Sequence, residues 1–320
     1  MTVIPGQGRV VFAALALLSG CATDVGNMIG ELENRHTGVE LADVPFHSQI
    51  TDQCGPAALA SLLGTAGVAV SAEELKTRVY IPDRHGALQL ELIAATRHFG
   101  RIPYEIDPNP SALVDELDAG RPVLVLQNLG VSIAPVWHYA VVIGYLPEKH
   151  QFVLRSGDKA RLLVNARTFT RTWKRGSFWA IVALKPGELP SNADADRYLK
   201  SVVATDSAGT LENAILTYRG ATQRWPGNSM AWLGLGNALY AEEKLPDARE
   251  AYRKMLEIKP GDAVAMNNLS QVYLELGCRD GALATINAAL ASVDDTDPVR
   301  AHLRVTQGEV LQSAAESRCL

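Results

Sequence analysis

The chain has 320 residues, 47 % of them hydrophobic and 20 % charged. It is too long for one ordinary core and too apolar to stay disordered, so two domains are expected. A formal net charge of −5 and the lack of any Lys/Arg cluster imply no basic face and set nucleic acid aside as a partner. The seven His are scattered and the four Cys form no CxxC pair and no Cys/His cluster with zinc spacing, so no metal and no cofactor is expected.

Residues 1–20 read as an export signal. Arg9 supplies the positive start and Val10 to Leu18 an apolar run, too short to span a bilayer. The run ends in Leu18-Ser19-Gly20-Cys21, a tetrapeptide that resembles a bacterial lipobox. The resemblance implies diacylation of the Cys21 thiol, cleavage before it, and acylation of the new amine. Two or three acyl chains anchor stably where one is marginal, so membrane attachment is expected. Position 22 is Ala rather than Asp, which by the sorting rule of such lipoproteins favours an outer membrane, with the protein facing the periplasm.

After a polar tether over 21–40, residues 41–185 read as one mixed domain. Ala58, Leu59, Leu62 and Leu63 recur at the spacing of a buried helix face, as do Leu88, Leu92 and Ala95. Pro122 to Gln127, Trp137 to Tyr145, Gln151 to Leu154, Arg161 to Val164 and Phe178 to Leu184 are short β-branched or aromatic runs between turn residues. Helices first and antiparallel strands second predict an α+β domain. Pro186, Gly187, Pro190, Ser191 and Asn192 mark a linker over 186–196.

Residues 197–320 read as helical and repetitive. Trp232, Leu235, Gly236, Leu239, Ala248, Tyr252, Met255 and Pro260 fall at the packing offsets of a 34-residue tetratricopeptide repeat. A shift of one period forward gives Met266, Leu269, Ser270, Tyr273, Ala282, Ile286 and Ala289, and one back gives Ala214, Tyr218, Ala221 and Pro226. The segment resembles tetratricopeptide repeats at 195–228, 229–262 and 263–296, with Pro298 to Ser317 as a capping helix. Such stacks need about three units and a polar cap. A concave face that binds a protein partner is expected. Cys278 and Cys319 lie in the same part of the chain and, in an oxidising compartment, are candidates for a disulfide.

The chemistry-bearing stretch is Gln49-Ile50-Thr51-Asp52-Gln53-Cys54-Gly55-Pro56-Ala57-Ala58. A cysteine that opens a helix has its thiolate favoured by unpaired N–H groups and the helix dipole. Pro56 is tolerated in the first turn, where its missing N–H would have been unpaired. Gln49, on the incoming loop, can direct an amide N–H at an oxyanion. Trp137-His138-Tyr139-Ala140-Val141-Val142-Ile143-Gly144 puts a histidine at the head of an apolar run, 84 positions after Cys54, rigidly placed to serve as base.

These motifs resemble the papain-like double-glycine leader peptidases, the bacteriocin-processing cysteine peptidases, over residues 41 to 184. The resemblance implies an α+β papain-like fold, with Cys54 as nucleophile, His138 as base and Gln49 at the oxyanion. Many members are fused to a transporter and trim leaders after a Gly-Gly pair. This chain has no GxxxxGK[ST] and no membrane-spanning run, so it is expected to bind no ATP. The order of lipobox, peptidase domain and repeats resembles a lipoprotein subgroup. The family's usual Asp, about 16 residues beyond the histidine, has no clear counterpart: Ser156 falls nearest by register, and Asp158 is the nearest carboxylate.

The expected activity is hydrolysis of a peptide or protein substrate through a thioester on Cys54, with no cofactor. Two rivals keep the same residues: a peptidase-like module that holds a peptide without turnover, and an acyl-transfer enzyme with a different resolving nucleophile. Replacing Cys21 by Ser should release the protein from membranes or leave its precursor uncleaved. A mature N-terminus whose mass shows an unmodified residue other than Cys21 overturns the lipid anchor.

Overall fold

The computed structural model describes residues 25–32, 34–48, 53–84, 86–206 and 209–313. Cys21, Gln49 and Cys319 lie outside them. The chain forms two compact units, one made chiefly of residues up to 183 and the other chiefly of residues from 193 onward.

The first unit opens on helix α1 (residues 25–32) and the two-residue strand β1 (Val39–Glu40). Helix α2 (Cys54–Thr65) buries Gly55 through Leu63, a continuous small and apolar run that packs against the sheet. Helix α3 (Ala72–Val79) is capped by Ser71, whose side chain accepts from Glu74 N, and helix α4 (Gln89–His98) follows. Strand β2 (Ile102–Glu105) leads to helix α5 (Pro110–Asp118), capped by Asn109 with Pro110 in its first turn, as side-chain capping and the fixed φ of proline favour.

Five strands and one more helix complete this unit. They are β3 (Val123–Asn128), β4 (Trp137–Leu146), β5 (Gln151–Ser156), β6 (Lys159–Asn165), α6 (Ala166–Arg175) and β7 (Ala180–Leu184). The sheet order is β2-β7-β3-β4-β5-β6, with β1 paired to the far end of β4. The pairs β3–β4, β3–β7, β4–β5 and β5–β6 are all antiparallel. This is the α+β architecture expected, with three additions. Strands β1 and β2 precede the expected strands, and α6 interrupts them.

Helix α6 escapes a strand-oriented reading because Thr168, Phe169, Thr170, Thr172 and Trp173 are residues that favour strands. Its buried positions Ala166, Phe169, Thr170 and Trp173 nevertheless fall at helical spacing, and Asn165 caps it through Arg167 N at 3.0 Å. Against the sheet it builds a continuous aromatic core. Tyr145–Phe152, Phe152–Phe169, Phe169–Trp173 and Trp173–Phe178 have ring centroids 5.0, 4.5, 5.8 and 5.1 Å apart. Trp173 is fully buried, and its indole N–H donates to Trp179 O at 3.0 Å.

The second unit is a stack of helical hairpins: α7 (Ala195–Asp206) with α8 (Leu211–Arg224), α9 (Ser229–Ala241) with α10 (Leu245–Ile258), and α11 (Ala263–Glu275) with α12 (Arg279–Ala291). The period extends to the caps. Asn228 and Asp262, one repeat apart, accept from Ala231 N and Ala265 N at 3.1 Å each. Gly236 explains itself by contact, since a Cβ there would come within 2.6 Å of the Tyr252 ring. At the equivalent position Ser270 fits by donating to Ala282 O at 2.9 Å. Helix α13 (Val299–Gln312) closes the stack, its Leu303 and Val299 packing on Ile286, Ala289 and Met266. Cys278 is buried and held in a disulfide. Its expected partner, Cys319, falls outside the described residues.

Truncating Trp173 to Ala should cost about 3–5 kcal/mol, the range for emptying a fully packed aromatic site. Denaturant unfolding followed by circular dichroism checks it, and a loss below about 1 kcal/mol would show that the aromatic row does not hold α6 on the sheet.

Candidate active site

Cys54 is the first residue of α2 and is partly exposed. The preceding Gln53 makes no side-chain capping bond, the first turn carries no acidic residue, and Pro56 has no N–H to give. The N–H groups at this end are therefore not taken up by a side-chain cap, and they carry the positive end of the helix dipole. Gly55 lets this turn lie against its neighbours: a Cβ there would meet Ala87 Cβ at 2.7 Å and the Tyr139 ring at 3.6 Å.

Beside the thiol is a cavity of about 310 Å3 walled by Ala87, Leu88, Leu126, Trp137 and Tyr139. Tyr139 is fixed on three sides. Its hydroxyl donates to Ala87 O at 3.3 Å, its ring meets Trp179 edge-on at 5.8 Å, and its backbone pairs with Leu126. Burial, followed by the charge of Cys54 and then of Glu91, pushes the phenol well above its ordinary range, so it stays protonated and neutral. Sequence reading missed Tyr139 and Leu126 as site residues. Their direct partnership across β3 and β4 was the available signal, because partners in register share a face.

The next pair in the ladder is Gln127 with His138, and alternation turns it to the opposite side from Leu126 and Tyr139. Gln127 Nε2 donates to Thr172 Oγ1 on α6 at 2.6 Å. His138 Nε2 lies 2.8 Å from Ser156 Oγ at the end of β5, and Ser156 is 8 % exposed. His138 is the second residue of its strand, one step from the open end. Its Nδ1 is the ring nitrogen that Ser156 leaves available. Burial holds the imidazolium form below its ordinary range.

The structure brings Ser156, and not Asp158, to the His138 ring. Asp158 follows Gly157 in the β5–β6 turn, is 72 % exposed and pairs with Lys159 Nζ at 3.0 Å. That neighbouring ammonium holds its carboxyl below the usual range. The turn carries Asp158 past the end of the ladder, so the nearest carboxylate in sequence points to solvent. His47 is partly buried, while His98 and His150 are exposed. Among the described residues no group of three or more His, Cys, Asp or Glu is arranged to hold a metal ion.

Residues 41–178 match the Peptidase_C39 like family, and residues 206–263 and 239–304 match tetratricopeptide repeat families. The chain joins a C39-peptidase-like domain to tetratricopeptide repeats. Among solved structures it is similar to a putative C39-like peptidase from Bacillus anthracis, at 20 % identity and a TM-score of 0.40, over 47 % of this chain and 98 % of that one. The TPR2B-domain:pHsp70-complex of yeast Sti1 aligns at 18 % identity and a TM-score of 0.33, over 37 % of this chain and 94 % of that one. Among curated proteins the peroxisomal targeting signal receptor of Pichia angusta is 32 % identical over 91 residues, which is 28 % of this chain and 16 % of the receptor. The chain thus spans about a sixth of the length of the curated relatives it matches.

The position of His138 has a consequence for stability. A histidine in the unfolded chain titrates near about 6.5, and burial makes the folded protein take up that proton less readily. Its contribution to stability is complete above that value and is lost as pH falls through it. His138→Gln should therefore flatten the dependence of unfolding free energy on pH between about 5 and 7. A pH series of denaturant melts reads the difference, and identical slopes for both proteins would contradict the assignment.

Proposed function

We propose that the protein is a cysteine peptidase of the C39-like class, with Cys54 as nucleophile and His138 as general base. The observation that carries this reading is Cys54 itself: a cysteine outside any disulfide, opening a helix with no side-chain cap, beside a cavity of about 310 Å3, within a C39-like domain. An extended peptide would seat one side chain against Leu126 and Tyr139, with its carbonyl carbon over the thiol. Cys54 Sγ attacks that carbon, and the Cys54 N–H and the Gln49 amide hold the oxyanion; the ladder turns His138 to the opposite face of β4 from the cavity-lining Tyr139, so its Nδ1 takes the thiol proton only by swinging round the open end of the strand. The same imidazole then protonates the leaving amine and activates water to open the thioester. Nε2–H donating to Ser156 Oγ fixes the ring plane. Cleavage after a Gly-Gly pair is the specificity that the leader-peptidase resemblance favours.

The repeats support binding of a protein or peptide partner, since stacked hairpins present a continuous surface. In this reading they hold a partner or the substrate's uncleaved part, while acylated Cys21 keeps the protein on the outer membrane facing the periplasm. A second reading, a peptide-holding module with little turnover, is favoured by one specific observation. The His138 ring is partnered by a hydroxyl and not by a carboxylate, and burial disfavours its charged form, so the imidazolium lacks the stabilisation that a triad acid gives.

Alkylation by iodoacetamide separates the two. In the peptidase, Cys54 should react near neutral pH much faster than free cysteine, and His138→Ala should slow it by about tenfold or more. Equal rates with and without His138, alongside peptides retained by both native protein and Cys54→Ala, would establish the holding module instead.

A further inference from the structure

The loop between β3 and β4 is uncharged from Leu129 through Trp137, and residues 131–137 are all exposed. Its large apolar side chains face outward: Leu129 is 50 %, Val131 58 %, Val136 56 % and Ile133 96 % exposed. Few soluble surfaces present such a group contiguously without a use for it. Nor is this a loose segment. Leu129 N donates to Val136 O at 2.8 Å, Val131 and Ala134 exchange backbone bonds at 3.2 and 3.0 Å, and Asn128 Oδ1 accepts from Gly130 N and Val136 N at 3.0 Å each. The backbone is satisfied internally and the side chains are held out.

The charge beside the tip identifies what it meets. Helix α6 has four cations, Arg167, Arg171, Lys174 and Arg175, and no acidic residue. Its last turn is fastened to the base of the loop by Arg175 Nε donating to Asn128 O at 3.0 Å. Arg171 and Arg175 are exposed, and among the described residues neither pairs with a carboxylate. The β5–β6 turn at the same end of the sheet adds no net charge, because Asp158 and Lys159 pair with each other. A rigid apolar tip flanked by uncompensated guanidinium groups complements a surface that is apolar beneath and anionic above. Trp137 stands at the loop's base with 55 % exposure, an amphipathic ring of the type that settles at headgroup level.

We propose that the β3–β4 tip inserts into an anionic lipid surface, with Val131 and Ile133 below the headgroups and Arg171 and Arg175 on the phosphates. Trp137 also walls the Cys54 cavity, so this docking faces the site toward the membrane and directs it at membrane-proximal chain. The contact is separate from any lipid on Cys21.

Flotation with vesicles tests it on the full chain carrying Cys21→Ser, comparing phosphatidylethanolamine–phosphatidylglycerol vesicles with phosphatidylcholine vesicles. Any affinity from the segment preceding Cys21 is common to all variants and drops out of ratios between them. Val131→Asp with Ile133→Asp should reduce partitioning onto the anionic vesicles by about tenfold or more, and Arg171→Glu with Arg175→Glu should abolish the preference for anionic lipid. All four positions are exposed, and an unchanged thermal melt confirms folding. Partitioning indifferent to the tip overturns the proposal. So does a tip variant that still floats but binds peptide more weakly, which would assign the loop to substrate.

Discussion

The site depends on how closely the first turn of α2 can lie against the loop at Ala87 and the ring of Tyr139. That approach exists because position 55 has no side chain: any Cβ would collide with Ala87. From it follow the placement of Cys54 at the cavity mouth, the use of Tyr139 as a wall, and the alignment of the helix dipole with the thiol. Tyr139 is in turn immobilised by Ala87 O and Trp179, and Trp179 O receives the indole N–H of Trp173. The aromatic core under α6 and the cavity on the other face of the sheet are thus one connected structure. Disturbance of the core should be felt at the wall of the site.

Much of this was legible in the sequence, for identifiable reasons. The repeats were readable because one period constrains many positions at once: Gly236, Ala248 and Tyr252 recur as Ser270, Ala282 and Ile286, and even the caps at Asn228 and Asp262 keep the register. Strands β3 to β7 were readable from apolar runs between turns. Helix α6 was not, since its composition votes for strand while its tertiary position, with Phe169 stacked on Phe152 and Trp173 on Phe169, selects helix. Strands β1 and β2 are short, and a pairing such as Val39 with Tyr145 is a long-range event that leaves no local pattern.

Within the site, motif and spacing identified Cys54 and His138 as the residues to examine, and register picked out Ser156. What they did not resolve was the contest between a hydroxyl in register and a carboxylate two positions on. Strand alternation allows both to share a face, but the β5–β6 turn ends the ladder first, and a surface Lys takes the carboxylate. Tyr139 and Leu126 were passed over because apolar residues in a strand carry no chemical label until a cavity gives them one.

The electrostatics of the His138 environment bear on what the site can do. A triad carboxylate stabilises an imidazolium that forms during reaction; Ser156 Oγ orients the ring but contributes no charge. Burial acts in the same direction, keeping the imidazole neutral. The charge separation needed to make a thiolate must then be supported from the cysteine's side, by the uncapped first turn of α2 and its dipole. The helix end therefore carries most of the support for the thiolate, and the imidazole's part is to take and return the proton. Any peptide that enters the cavity displaces water, which strengthens the helix dipole's hold on charge at the thiol. With no carboxylate on the imidazole, the first turn of α2 is the part of the site on which the proposed chemistry depends most.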